Sequence, residues 1–119
     1  MGGTMHLSKL QQEFTIAIAE LINYATMRGY GLTFGDAFRD IRVHGKFGIK
    51  SSYSSGYSVH KLRLAADFNL FIDGDYIADG KHQAWLDLGE QWEKMHESAR
   101  WGGRFNDANH FSFNWQGYK

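Results

Sequence analysis

Two short stretches carry an acid and an imidazole on what read as polar strand faces. In Leu64-Ala65-Ala66-Asp67-Phe68-Asn69-Leu70-Phe71-Ile72, the residues Ala66, Phe68, Leu70 and Ile72 alternate with Ala65, Asp67, Asn69 and Phe71. That is the pattern of a half-buried strand with Asp67 and Asn69 on its more polar face. In His110-Phe111-Ser112-Phe113-Asn114-Trp115, His110, Ser112 and Asn114 share one face and the three aromatics share the other. If the two strands are neighbours, Asp67 and His110 project to the same side of the sheet. His60 lies seven residues before Asp67. Positions seven apart on an unbroken strand face opposite ways, so Lys61-Leu62-Arg63 must turn for His60 to reach Asp67. Asp107 sits three residues before His110.

Two histidines and one carboxylate form a ligand set that suits zinc, with a fourth position left open for water. A second carboxylate beside such a site can take the proton from water as it attacks a carbonyl, then return it to a leaving amine. On spacing alone this is a weak signal. Six histidines in 119 residues produce chance pairings, and a lone histidine on a polar strand face is usually just solvated.

The elements that must position these residues are legible from periodicity. Leu10, Phe14, Ala17, Ile18, Leu21 and Ala25 recur at helical spacing, Ser8 and Gln11 read as a capping box, and Gly29 and Gly31 stop the run, which predicts a helix over about 8–28. Residues 31–39 read as a short strand with Leu32, Phe34 and Phe38 toward the core and Arg39 at its exit. Residues 42–57 lack any period, and their serines and glycines read as a mobile connection of functional length. Asp73-Gly74-Asp75 is a turn. A second helix over about 82–98 carries an apolar stripe of Trp85, Leu88, Trp92 and Met95, with His82 at its start and His96 in its last turn. Gly102-Gly103 breaks the chain before the final strand at 110–115. Helix, strand, loop, strand, helix, strand describes an α+β domain, a small antiparallel sheet with helices on one face.

Composition narrows the function. With 119 residues the chain is one domain, expected over 8–119, with 1–7 a disordered leader. Thirteen basic and thirteen acidic residues give zero net charge, which argues against nucleic acid as a partner. The absence of cysteine removes disulfide scaffolds, thiolate zinc sites and cysteine nucleophiles. No stretch is long and apolar enough to insert in a membrane, and the N-terminus has no secretory signal pattern. No long apolar face is left over, so a monomer is expected. Aromatics make up 16% of the chain, and all four Trp fall between Trp85 and Trp115; they read as large side chains filling a small core, with the lining of a groove for an extended ligand as the other reading. Trp101 and Trp115 read as core or site wall. Asp73, Asp75 and Asp79 read as a solvated acidic turn.

Two motifs sharpen the metal reading. Ser58-Val59-His60 followed by Ala65 and Asp67 resembles the Ser-x-His-x6-Asp signature of peptidase family M15, the zinc D-Ala-D-Ala carboxypeptidases and phage endolysin L-alanyl-D-glutamate peptidases. Trp101-Gly102-Gly103 through Asp107-Ala108-Asn109-His110-Phe111 is similar to that family's Trp-Gly-Gly…Asp-x-x-His-Phe ending. The resemblance runs from Leu32 to the end and implies a Hedgehog/DD-peptidase-like fold. It implies that His60, Asp67 and His110 bind zinc, that Asp107 is the general base, that Arg39 contacts substrate near the scissile carbonyl, and that Ser58 holds substrate or the site's hydrogen bonds. Arg63 stands where the family often has glycine, and Ser112 where it often has an acid. The implied function is that of a phage-type endolysin, a zinc endopeptidase cutting the L-Ala–D-Glu bond of peptidoglycan stem peptides. Such an enzyme would be made in the cytoplasm without a signal peptide and reach the wall on release. The alternatives are a D-Ala-D-Ala carboxypeptidase or dipeptidase, or a non-catalytic phage structural or wall-binding module.

Overall fold

A computed structural model describes residues 6–36, 47 and 58–119. Helix α1 (Leu7–Met27) buries Leu10, Phe14, Ala17, Ile18, Leu21 and Ala25, the six positions its periodicity picks out. It ends where Gly29 takes φ +82°, a left-handed conformation that glycine adopts without cost. Its start differs from expectation. The N-cap is His6, and Ser8 lies inside the first turn, where its hydroxyl accepts from Gln12 Nε2. Gln11 points elsewhere and donates to the carbonyl of Leu62 at 2.7 Å. The capping-box pair thus serves side-chain and tertiary contacts.

Five antiparallel strands follow: β1 (Tyr30–Phe34), β2 (Ala65–Ile72), β3 (Asp75–Tyr76), β4 (Ala99–Trp101) and β5 (His110–Phe113). The sheet order is β1-β2-β5-β4, with β3 also pairing to β2. The fold is α+β, an open sheet with helices packed on it. Asp73 and Gly74 both take positive φ, the geometry of a tight hairpin turn between β2 and β3. β1 is an edge strand, and Phe34 at its end is 59% exposed, resting on Phe68 at 5.0 Å rather than entering the core. Phe38, Arg39 and the 42–57 segment, except Phe47, lie outside the described residues.

Helix α2 (Gln83–Met95) buries Trp85, Leu88 and Trp92. His82 caps it, its Nδ1 accepting the N–H of Ala84 at 3.0 Å. The helix stops before His96, which is extended at φ −160°. His96 therefore does not sit in the last turn. Its Nδ1 accepts from the Ser98 N–H, its Nε2 meets Glu13 Oε1 at 2.7 Å, and its ring stacks on Phe113. The chain freed by the early stop forms β4.

The core is aromatic. Phe14 lies edge-on to Trp92 and Phe113, and Trp92 packs against Phe111. Each such buried ring contributes about 2–3 kcal/mol from area removed from water. The Trp92 indole N–H is shared between the carbonyls of Arg100 and Ser112. Trp101 is a core residue: its indole donates to the Ala108 carbonyl at 2.7 Å, and Gly89 leaves room for the ring, since a Cβ there would fall 2.0 Å from it. Trp115 is half-buried and bridges to Tyr118.

Candidate metal centre

Strand β2 carries Asp67 on the face opposite Phe68, as its alternation requires. Strand β5 pairs with it so that Asp67 and His110 are direct cross-strand partners. Side chains at such positions stand about 4.5–5.5 Å apart at Cβ and share a face. The main chain of Asp67 is fixed from the other side, its carbonyl accepting from Gly35 and its N–H donating to Asp36.

His60 arrives by a different route. Val59–Leu62 form one 3₁₀ turn, and Ser58 caps it, its hydroxyl accepting the His60 N–H at 3.2 Å. Arg63 then takes φ 56° and ψ 36°, the left-handed conformation that reverses the chain into β2. This is the turn the seven-residue spacing demands. It is made at the position where glycine would be cheapest, by a residue that adopts the geometry at a cost of about 1 kcal/mol.

The result is a compact cluster. One ligand atom from each of His60, Asp67 and His110 lies within 4.8 Å of the other two. Asp67 Oδ1 is 3.3 Å from His60 Nε2 and 3.1 Å from His110 Nδ1. A tetrahedral zinc site with bonds of about 2.0–2.1 Å separates its ligand atoms by about 3.3 Å. The spacing therefore fits a metal held by these three side chains. Without an ion the same spacing leaves His110 Nδ1 within hydrogen-bond distance of Asp67 Oδ1, with His60 Nε2 in close contact with the same oxygen. The two histidine side chains are 2% and 8% exposed and that of Asp67 16%. His110 Nε2 is buried with no hydrogen-bond partner among the described residues.

Burial pushes the Asp67 carboxyl upward. The hydrogen bonds and charge of His110 and His60 outweigh it and hold the group down at about 2, against an ordinary 3.8. Asp67 is thus a carboxylate across the physiological range, as a metal ligand must be.

Asp107 lies outside the three-ligand group, exposed in the turn before β5. Its N–H donates to the Gly102 carbonyl at 2.8 Å and its own carbonyl accepts the His110 N–H at 3.0 Å. The turn closes tightly on Gly102, where a Cβ would fall 2.1 Å from Asp107 O and 2.7 Å from His110 Cβ. Gly102 of the second motif therefore fixes the turn that carries Asp107 and leads into β5. Arg39 lies outside the described residues.

Two features were not legible in the sequence. Phe105, 41% exposed, sets its ring edge-on to that of His110 at 5.9 Å. Its position after the glycines was the only signal. Ser112 was expected on a polar face, yet it is fully buried. Strand β5 lies inside the sheet between β2 and β4, and the His60 turn packs over the His110 face, with ring centroids 5.1 Å apart. The Asp73–Asp79 turn forms no metal-ligand group; among the described residues only His60, Asp67 and His110 do. No helix among the described residues is long and apolar enough to cross a membrane.

Comparison with known proteins adds no identity: no family model matches the chain, and no curated protein does.

Proposed function

We propose that this chain is a zinc-dependent peptidoglycan endopeptidase that hydrolyses the L-Ala–D-Glu bond of stem peptides, in the manner of phage endolysins. The observation that carries the reading is the meeting of His60, Asp67 and His110 at the ligand spacing of a tetrahedral metal. They are the same three residues that the two sequence motifs single out.

A zinc ion held by these side chains would acidify a water and polarise the scissile carbonyl at neutral pH. Asp107 takes the proton from the attacking water and hands it to the departing D-Glu nitrogen. Arg39 binds the carbonyl oxygen as negative charge develops there. Ser58 keeps the His60 turn in register, so the imidazole is fixed before substrate arrives.

Digestion of purified peptidoglycan tests the reading. New N-terminal D-Glu is expected, abolished by chelator and restored by zinc. Asp107→Asn should lower the rate by about 10²–10⁴-fold while metal content is kept. Loss of terminal D-Ala with the L-Ala–D-Glu bond intact would replace this reading with a carboxypeptidase. Full activity in Asp107→Asn would remove Asp107 from the chemistry.

A further inference from the structure

Between the loop after β3 and the turn before β5 lies a cavity of about 460 Å³, lined by Asp79, Lys81 and Asn106. It shares Gly80, Asn106 and Ala108 with a neighbouring cavity of about 300 Å³ that reaches Asp107. Together they make one groove running from Asp107 out to the Asp79–Lys81 loop.

The outer end of the groove holds one group of each charge, Asp79 and Lys81, while Asp107 stands at the inner end. The ends of Asp79 and Lys81 form no ion pair among the described residues. Asp79 Oδ1 accepts the Lys81 N–H at 2.9 Å, a local bond that shapes the loop. Asn106 takes φ 63° at the end of its 3₁₀ turn and adds an amide. A ligand with a lone carboxylate would be attracted to Lys81 and repelled by Asp79. A lone ammonium would meet the reverse. A group carrying both on one carbon satisfies each.

Resting on the reading of the chain as a stem-peptide hydrolase, we propose that this groove seats the free amino-carboxylate end of a diamino-dicarboxylic residue downstream of the scissile bond. Lys81 takes its carboxylate, Asp79 its ammonium, and Asn106 a remaining oxygen. A stem peptide with meso-diaminopimelate at its third position carries such an end. One with L-lysine there carries only the ammonium.

The test uses the two product dipeptides, γ-D-Glu-meso-diaminopimelate and γ-D-Glu-L-Lys, titrated calorimetrically into the zinc-loaded protein. The diaminopimelate peptide should bind about tenfold tighter, the worth of one charge-assisted contact. Lys81→Gln should erase that preference and leave the lysine peptide within about twofold of wild type. Asp79→Asn should weaken both peptides. Equal binding of the two by wild type, no binding of either, or a preference that survives Lys81→Gln would overturn the proposal. Cleavage of L-Ala-γ-D-Glu-meso-diaminopimelate, followed separately, distinguishes the two claims. Selective binding without cleavage would remove the hydrolase reading and keep the groove. Cleavage without selectivity would do the opposite.

Discussion

Asp67 and His110 face each other directly across the β2–β5 ladder, with Asp67 Oδ1 3.1 Å from His110 Nδ1. Two of the three candidate ligands are thus held by strand pairing. The third is held by a single capped turn. The three side chains stand together in this structure, and their meeting rests on β2–β5 register and on the turn at Arg63.

Protons and metal compete for the same imidazole nitrogens. Zinc affinity should therefore fall as pH drops toward about 6 and below, because a protonated imidazole cannot ligate. Competition with a chromophoric chelator across pH 5–8 reads this directly. Affinity independent of pH over that range would remove the histidines from the ligand set.

Asp67 makes stability depend on acid in the metal-free protein. Its folded value of about 2 lies below the ordinary 3.8. A depressed carboxylate stabilises the fold above its unfolded value, and that contribution is lost as pH falls from about 4 toward 2; it amounts to about 2 kcal/mol. Denaturant titration of the metal-free protein at pH 5 and pH 2.5 should show a loss that Asp67→Asn does not share. Equal acid sensitivity of the two proteins would refute the assignment.

Away from the His60–Asp67–His110 group, Asp87 gathers three donors from α1, from the residue that caps it and from β1. Tyr24 and Tyr30 donate to its two oxygens at 2.5 and 2.7 Å, and Arg28 Nε lies 2.9 Å away. Burial raises the Asp87 carboxyl, the three hydrogen bonds lower it by more, and the net direction is down. Its contribution to stability is present above the usual carboxylate range and lost below it. Asp87→Ala should destabilise the fold by about 1–3 kcal/mol. Zinc affinity should stay unchanged, since the partners of Asp87 are Tyr24, Arg28 and Tyr30. A parallel loss of metal affinity would show that this cluster supports the site.

Gly102→Ala should act on both. The added Cβ would collide with the Asp107 carbonyl and His110 Cβ, and relief requires moving the turn that precedes β5. A loss of about 1–3 kcal/mol in stability is expected, together with weaker zinc binding. Thermal melts and chelator competition on the same preparation check it. Unchanged zinc affinity would mean the turn moves without carrying His110.

Periodicity carried much of this structure. The six buried positions of α1 and the alternation of β2 are properties of single segments, so they were readable without partners. The His60–Asp67–His110 meeting was readable because two motifs named it and the spacing required a turn. What escaped was tertiary. β3 has two residues and β4 three, too few to show a period, and their pairing depends on β2 and β5. The end of α2 was misplaced because His96 leaves the helix to meet Glu13, a residue of α1. Phe34 was assigned inward by alternation, but an edge strand that ends there leaves it uncovered. The charge pairing around Asp87 joins residues 57 to 63 apart, a separation over which sequence spacing says nothing.

The most direct measurement of the central claim is the metal content of the purified protein beside His60→Ala and His110→Ala, with circular dichroism to verify folding. Wild type should carry about one zinc per chain, and each folded variant should lose it. A wild-type protein that takes up no zinc, or variants that retain it, would show that the three side chains meet for another reason and would contradict the account.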